Sequence, residues 1–267
     1  MSVKASEYAA TVLRREPLSP HLVRIVLGGL DGFASSGVPD EWVGLVVPGQ
    51  FQSRYYTVRS WDGAELVLDV VVHEEGLVTE WASRDCVGEV VTIQEAKGSF
   101  AMPNDARWLI LAADLTGMPA VARILECIST SSTDVGRAGR DLSGVRVFAE
   151  VPDDLTGYLP EHADVTWLQP PGPDESALAS VVEGIAWPEG DGYFWMAGES
   201  GQMRAIRRHL LREVKLPSTA YDVMGYWRGG GRRQPRAVDP GPVYRAGKAA
   251  GHSDEEIWAA YDAEMSR

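Results

Sequence analysis

The hydrophobic pattern changes near residue 104, and this change constrains the fold more than any other feature of the sequence. Before it, short runs of β-forming residues are separated by glycine, proline and aspartate, which is typical of an antiparallel barrel or sandwich. After it, apolar strand candidates alternate with helical patterns, which favours βα units on a parallel sheet. We therefore predict two domains, an antiparallel β-barrel over residues 1–104 and an α/β domain with a parallel sheet over residues 105–267.

The periodicity also predicts individual elements. In the first part, strands are predicted at 22–27, 44–47, 55–59, 66–72 and 89–93. In the second part, strands are predicted at 107–112, 145–151, 164–168, 192–197 and 221–227, and helices at 119–130, 176–184 and 200–214. The polar stretches 130–143 and 169–175 are predicted loops, and a capping-box pattern predicts a terminal helix from Ser253.

Composition excludes several classes of protein. The chain has 38 acidic side chains against 25 Lys and Arg, a net charge of -13, which argues against nucleic-acid binding and against stable docking to an anionic membrane. The two cysteines, Cys86 and Cys127, form no CxxC pair, and the five histidines lack metal-ligand spacing. No apolar signal core and no run of ~18 apolar residues is present. We expect a cytoplasmic protein without a metal site, and we take a monomer as the default.

One segment departs from this acidity. Between residues 228 and 250 the basic side chains face only Asp239; they are Arg228, Arg232, Arg233, Arg236, Arg245 and Lys248. Such a basic segment can attract an anionic small molecule. A solvated loop whose charges pair with the acidic body explains the same pattern, and the sequence leaves both interpretations open.

Common catalytic signatures are missing. No GxGxxG follows a predicted strand. The stretch 198–201 lies at a strand-to-helix turn, but Gln202 replaces the last glycine of the GxSxG pattern of serine hydrolases.

The most informative local pattern is RYYTVR at residues 54–59, on a predicted strand. Alternation places Arg54 and Tyr56 on one face. A guanidinium can grip a diphosphate, a tyrosine ring can stack on a heterocycle, and Thr57 can bond a ring nitrogen. These groups meet the needs of a flavin dinucleotide, although a plain barrel strand with exposed polar residues has the same composition.

Four further segments accompany this hexapeptide, namely LDVVVH at 68–73 with Gly76 to Trp81, DLTGMPA at 114–120, WMAGE at 195–199 and GYWRGG at 225–230. In this order the five segments resemble the motifs of the siderophore-interacting protein family, a branch of the ferredoxin–NADP reductase-like flavoenzymes. The second segment departs from the family pattern, because it is one residue shorter and lacks a Pro-Ala pair. The departure leaves the flavin contacts between His73 and Trp81 open.

The resemblance implies an FAD-binding barrel, an NAD(P)H-binding α/β domain and a ferric siderophore as the electron acceptor. The residues it implies for cofactor binding are Arg54, Tyr55, Tyr56, Thr57, Asp69, Val71, His73, Leu77, Val78, Thr79, Asp114, Thr116, Glu199, Ser200 and Trp227. For the siderophore we expect Arg228, Arg232, Arg233 and Lys248. No residue is assigned as a general acid or base, because electron transfer to iron needs none.

Several of these roles have structural alternatives. His73 can be a satisfied strand histidine, Thr116 a helix N-cap, and Trp227 a core residue. Arg204 and Arg207 suit either a phosphate or a solvated helix face.

Two other functions also fit the sequence. One is a flavin reductase-like enzyme with another acceptor, such as free flavin, a quinone or a redox protein. The other is a protein that binds ferric siderophores without reducing them. A ferredoxin is an alternative donor to NAD(P)H.

Overall fold

The computed structural model describes residues 6–50, 52–73, 76–131, 144–161, 163–173, 175–228, 250 and 252. The terminal helix predicted from Ser253 and all of the basic segment beyond Arg228, apart from residue 250, lie outside these residues. Residues 132–143 of the predicted loop 130–143 also lie outside the described residues.

The N-terminal part is a closed antiparallel barrel of six strands in the order β1-β2-β5-β4-β3-β6. The strands are β1 Glu7–Ser19, β2 Leu22–Gly28, β3 Trp42–Val46, β4 Arg54–Trp61, β5 Leu66–Val71 and β6 Val90–Gln94. A short helix, α1 Leu77–Ser83, lies between β5 and β6 and packs Val78 and Trp81 into the barrel core. The predicted barrel and its five predicted strands are confirmed, whereas β1 and α1 were not predicted.

The C-terminal part is a five-stranded parallel sheet in the order β11-β10-β7-β8-β9. Its strands are β7 Trp108–Asp114, β8 Val145–Glu150, β9 Asp164–Leu168, β10 Gly192–Glu199 and β11 Tyr221–Trp227, and its helices are α2 Met118–Ser131, α3 Leu178–Glu183 and α4 Ser200–His209. Every residue of β7 and β10 is buried, which explains their unbroken apolar runs. The predicted α/β class is confirmed.

The strand order creates one special position. From β7 the chain moves outward to β8 and β9, then returns to the other side of β7 for β10 and β11. The crevice outside the carboxyl ends of β7 and β10 is therefore a topological switch point, where open α/β sheets bind their ligands.

The barrel and the sheet are joined by polar contacts. The Asp69 carboxylate of β5 accepts hydrogen bonds from Arg24 at 2.8 and 2.9 Å and from the Tyr158 hydroxyl at 2.7 Å. Arg59 of β4 donates to both carboxylate oxygens of Glu126 on α2, at 2.7 and 2.6 Å. These bonds fix the face of β4 against the second domain.

The last barrel strand ends at Gln94, and the first sheet strand begins at Trp108. The predicted boundary at residue 104 falls in the connection and stays a prediction. Within the described part of the chain, no helix combines the length and apolar character needed to cross a bilayer.

Candidate active site

The hexapeptide RYYTVR lies on strand β4, and the two faces of this strand have different environments. Val58 belongs to the barrel core and Tyr56 packs against it, so the Tyr56 ring is half-buried and burial raises its pKa. On the opposite face, Thr57 is buried and Tyr55 is 66% exposed. Arg54, at the start of the strand, is exposed. The face that carries Tyr55 and Thr57 also carries Arg59, and it is directed at the sheet domain.

Two hydroxyls meet where β4 faces the sheet domain. Thr57 Oγ1 and the Tyr226 hydroxyl of β11 are both buried, and neither has a well-formed hydrogen bond to a described residue. Burial raises the pKa of Tyr226, and a hydrogen-bond interaction with the Thr57 side chain partly opposes that rise. Each hydroxyl can both donate and accept, so a weak contact between the two leaves hydrogen-bonding capacity unused, and this points to a polar ligand.

The second predicted flavin segment lies at the end of β5 and in α1. His73 is exposed just beyond β5, so it is not a buried strand histidine. Thr79 and Val78 are buried in α1, and Leu77 is half-buried. The helix begins after Gly76, and no described side chain caps it.

Asp69 and Val71 of β5 face the junction between the domains. The Asp69 side chain has no exposed surface, and its carboxylate already accepts the bonds from Arg24 and Tyr158. Val71 is half-buried and packs against the core of the sheet domain. Both positions hold the barrel against the sheet, and a direct role in binding stays a prediction for them.

The five residues predicted on the sheet come together at its carboxyl edge. Asp114 ends β7, and its carboxylate accepts a hydrogen bond from Trp227 Nε1 at 2.6 Å. Thr116 donates to the same carboxylate through its backbone N–H at 2.9 Å and its hydroxyl at 2.6 Å. Asp114, not Thr116, is therefore the cap of the turn after β7. Trp227 is half-buried rather than part of a core cluster.

Glu199 and Ser200 complete this edge at the end of β10. Glu199 caps α4 by accepting a hydrogen bond from the Gln202 N–H at 2.9 Å. Ser200 Oγ donates to the Trp227 carbonyl at 2.7 Å. The ends of β10 and β11 are thereby tied to each other next to Asp114.

Glycines make these close approaches possible. A Cβ at Gly198 would lie 2.4 Å from Asp114 Oδ2, and one at Gly225 would lie 2.6 Å from Ser200 Oγ. Any larger residue at Gly198 would displace the carboxylate or the strand. Gly198 of the WMAGE segment and Gly225 of the GYWRGG segment thus serve the packing of the edge itself.

The electrostatics of this edge raise the pKa of Asp114 above its ordinary value. Burial raises the pKa of Asp114, the bonds from Thr116 and Trp227 oppose that rise, and the charge of Glu150 at the end of β8 adds to it. Glu150 is itself buried and accepts a hydrogen bond from the Ala177 N–H at 2.8 Å. The carboxyl edge of the sheet therefore carries two buried acidic side chains, Asp114 and Glu150, and the indole of Trp227 lies beside Asp114.

Of the predicted siderophore residues, Arg228 follows β11 directly and is exposed. Arg232, Arg233 and Lys248 lie outside the described residues. Arg207, a candidate for phosphate binding, instead donates to the Val223 carbonyl, and Arg204 is exposed. Among the described residues, no group of three or more His, Cys, Asp and Glu side chains is placed to hold a metal ion.

The residues present fit a flavin at the junction. The buried hydroxyls of Thr57 and Tyr226, which lack a well-formed hydrogen bond, suit the nitrogen and oxygen atoms at the edge of an isoalloxazine ring. The exposed Tyr55 ring and Arg54 guanidinium lie on the same strand as Thr57. Tyr226 is a candidate ligand contact that sequence reasoning missed. Its place inside the GYWRGG segment, on the strand predicted at 221–227, was the available signal.

A barrel packed on the switch point of a parallel sheet is the architecture of the ferredoxin reductase-like flavoproteins. Comparison with known families narrows this class. The family model "Siderophore-interacting FAD-binding domain" matches residues 50–100, and the model "Siderophore-interacting protein" matches residues 106–230. The chain belongs to the siderophore-interacting protein family.

Individual proteins agree with this assignment. The NADPH-dependent ferric-chelate reductase of Escherichia coli K12 is 28% identical, over 81% of this chain and 91% of its own. A siderophore utilization protein from T. fusca is 25% identical with a TM-score of 0.67, covering 89% of this chain and 99% of that one. The siderophore-interacting protein of Acinetobacter baumannii has a TM-score of 0.70 at 24% identity, over 85% and 93% of the two chains. These comparisons support FAD and NAD(P)H as the cofactors.

Proposed function

We propose that this protein is a cytoplasmic, monomeric FAD-dependent reductase that takes electrons from NAD(P)H and delivers them to the Fe(III) of a siderophore. The observation that carries the proposal is the meeting, at one junction, of the buried Thr57 and Tyr226 hydroxyls, which lack a well-formed hydrogen bond, with the Asp114–Trp227 edge of the sheet. A flavin site and a nicotinamide site are then neighbours across the junction. When bound, FAD supplies the conversion of a two-electron hydride into the single electrons that Fe(III) accepts.

The barrel residues hold the cofactor. Arg54 would bind the diphosphate and Thr57 would bond the edge of the flavin ring. Tyr55 and Tyr56 lie on opposite faces of β4, and each offers a ring on which the flavin could stack. His73 and Thr79 contact the dinucleotide at the end of β5 and on α1. Of the two tyrosines, Tyr55 has the more exposed ring, so we expect it to supply the larger stacking surface.

The sheet residues orient the donor. Asp114, Thr116, Glu199, Ser200 and Trp227 lie at the switch point, where hydrogen bonds connect Trp227 to Asp114 and to Ser200. The hydrogen bond from Trp227 to Asp114 holds the indole in one orientation. A fixed indole limits where a nicotinamide ring can lie relative to the flavin.

The basic segment gives the acceptor side its charge. A ferric siderophore with anionic oxygen ligands is attracted by Arg228, Arg232, Arg233 and Lys248, in a protein whose net charge is otherwise strongly negative. Arg228 follows the strand end that carries Trp227, so the segment leaves the sheet close to the proposed flavin edge.

The first experiment follows the absorbance of the purified, FAD-loaded protein without oxygen. Bands near ~370 and ~450 nm should bleach with NADH or NADPH and recover when a ferric siderophore is added. If the bands recover with free flavin or a quinone but not with the ferric complex, the electron acceptor is not a ferric siderophore. A protein that takes up no FAD and still binds the ferric complex would overturn the reductase proposal.

A second measurement tests the basic segment. The pair Arg232→Gln and Arg233→Gln should lower kcat/KM for an anionic ferric siderophore at low salt by about tenfold, with a smaller effect at high salt. The matched control is Arg208→Gln with Arg212→Gln, two exposed arginines of the α4 region. Equal effects of the two pairs would show that net charge, and not the basic segment, governs the reaction.

A further inference from the structure

A cavity of about 260 Å³ lies between the segments that follow β8 and β9. Its wall is formed by Asp154, Leu155 and Thr156 on one side and by Trp167 and Leu168 on the other. Small-molecule sites usually enclose roughly 300–1,000 Å³. The cavity therefore suits one nucleoside-sized group rather than a whole dinucleotide.

The position of the cavity relates it to the switch point. Strand β9 lies three strands from β10 along the same carboxyl edge, which is about 14 Å at the usual strand spacing. A dinucleotide whose nicotinamide lies outside β7 and β10 can follow this edge, with its other nucleoside over β8 and β9. The cavity is at the place where that nucleoside would end.

The wall of the cavity offers two kinds of contact. Trp167 is 46% exposed, so its ring has a free face on which a purine can stack. Asp154 Oδ1 accepts bonds from the Thr156 N–H at 2.9 Å and the Thr156 hydroxyl at 2.6 Å, and these bonds lower the pKa of Asp154. The carboxylate is thus ionised at neutral pH. Its second oxygen has no hydrogen bond to a described residue and can accept one from a ribose hydroxyl.

The charge around the cavity is negative. No Lys or Arg is among the described residues that line it. Asp153 adds a second carboxylate to the lining, which is held by the Ser19 hydroxyl and by the backbone and ring of His21. A ribose 2′-phosphate carries about -1.5 to -2 charges near neutral pH. Two carboxylates and no lining cation oppose such a group, whereas a free 2′-hydroxyl is accepted.

We propose that this cavity binds the adenosine end of the nicotinamide donor, and that the donor is NADH rather than NADPH. The proposal rests on the proposed function, because it concerns the donor of that reaction. It separates this chain from its relative in Escherichia coli, whose name specifies NADPH.

The binding test uses ADP-ribose and its 2′-phosphorylated form, titrated into the FAD-loaded protein by calorimetry. ADP-ribose should bind roughly tenfold to a hundredfold more tightly than the 2′-phosphate form. Asp154→Asn should reduce this preference to about threefold or less, and Trp167→Ala should weaken both ligands by about threefold to tenfold while Trp167→Phe restores most of the loss. The matched control is Asp164→Asn, an exposed carboxylate at the opposite end of β9 that should change neither ligand.

The kinetic test compares flavin reduction by NADH and NADPH in the same variants. A preference for NADH that Asp154→Asn weakens and Asp164→Asn leaves intact supports the proposal. Equal use of both donors, or tighter binding of the 2′-phosphate form, overturns it. If flavin is reduced but no cavity variant affects binding, the subsite is wrong and the reductase proposal stands. If ADP-ribose binds as expected but neither donor reduces the flavin, the reductase proposal fails and the subsite stands.

Discussion

At the scale of single residues, the Thr57 hydroxyl shows how the requirements of folding stability differ from those of ligand binding. Its hydroxyl is buried beside the Tyr226 hydroxyl without a well-formed hydrogen bond. A buried polar atom without a partner is destabilising, whereas a bond to a ligand removes that cost. If Thr57 bonds FAD as proposed, the same atom is unfavourable in the FAD-free protein and favourable in the loaded one.

Thr57→Val tests this directly, because valine keeps the shape and removes the hydroxyl. The free energy of unfolding of the FAD-free protein should stay within about 1 kcal/mol of the parent or rise, while FAD affinity should fall by about threefold to tenfold. Urea unfolding and a fluorescence titration with FAD measure the two quantities. Thr92→Val, on the half-buried face of β6, is the control and should leave FAD affinity unchanged. A loss of stability with full FAD affinity would contradict the role given to Thr57.

At the scale of elements, the candidate site depends on strand ends that approach one another without side chains between them. Gly198 of β10 allows this, since a methyl group there would lie 2.4 Å from Asp114 Oδ2. Gly198→Ala should push the carboxylate away from Trp227 and lower the free energy of unfolding by about 1–3 kcal/mol. Flavin reduction by the nicotinamide should slow, and FAD affinity should not change, because the barrel is untouched.

Stopped-flow reduction and thermal unfolding check this prediction. Gly184→Ala is the matched control, because Gly184 has an ordinary backbone conformation and its new methyl would meet Val181 O at 3.5 Å. That variant should stay within about 0.5 kcal/mol of the parent. Similar slowing in both variants would show that the Asp114 edge is not the cause.

Most elements were predictable because each buries one face or a whole apolar run. The strand β1 was missed because over half of its side chains are partly or fully exposed and Arg14, Arg15 and Glu16 interrupt its pattern. It forms through pairing with β2 and β6, which only the closed barrel supplies. Helix α1 has seven residues, too few for a helical period to show. The helix predicted over 200–214 leaves α geometry at Leu210 and ends in one π-helical turn.

The contacts of the candidate site also divide into those that the sequence predicts and those that it does not. Asp114, Glu199 and Trp227 were predictable as neighbours because the carboxyl ends of parallel strands share one edge. The pairing of Asp69 with Tyr158, and the cavity beside Asp154, depend on how two domains and two loops meet. No local sequence pattern encodes such contacts, because each partner is an ordinary polar residue within its own segment.

At the scale of the whole molecule, partly or fully buried ion pairs and hydrogen bonds lock the barrel to the sheet. They include Tyr158 with Asp69, Arg59 with Glu126, Arg123 with Glu41, Trp195 with Asp40, and Ser19 and His21 with Asp153. Removing one partner of a buried pair leaves the other uncompensated, which typically costs more than the pair itself contributes. The relative position of the flavin and nicotinamide sites is thus fixed by charges outside the site.

The Asp153 contact makes this locking depend on pH. Burial alone would raise the pKa of Asp153, but the bonds from Ser19 and His21 prevail and lower it. A carboxyl whose pKa is lower in the folded state stabilises the protein above its unfolded pKa, near 3.8, and loses that contribution as the pH falls through the folded value. Acid below about pH 4 should therefore weaken the junction.

Asp153→Asn removes the charge and tests this expectation. The Asp153 carboxylate loses its bonds to the Ser19 hydroxyl and to the half-exposed His21, so the variant should lose about 1–2 kcal/mol of unfolding free energy at pH 7. The difference from the parent should shrink as the pH falls below about 4, because the parent carboxylate then becomes protonated as well. Urea unfolding of both proteins across this range measures the difference, and Asp164→Asn should show none at either pH. An equal loss for Asp153→Asn at pH 3 and pH 7 would mean that Asp153 acts through its shape and not through its charge.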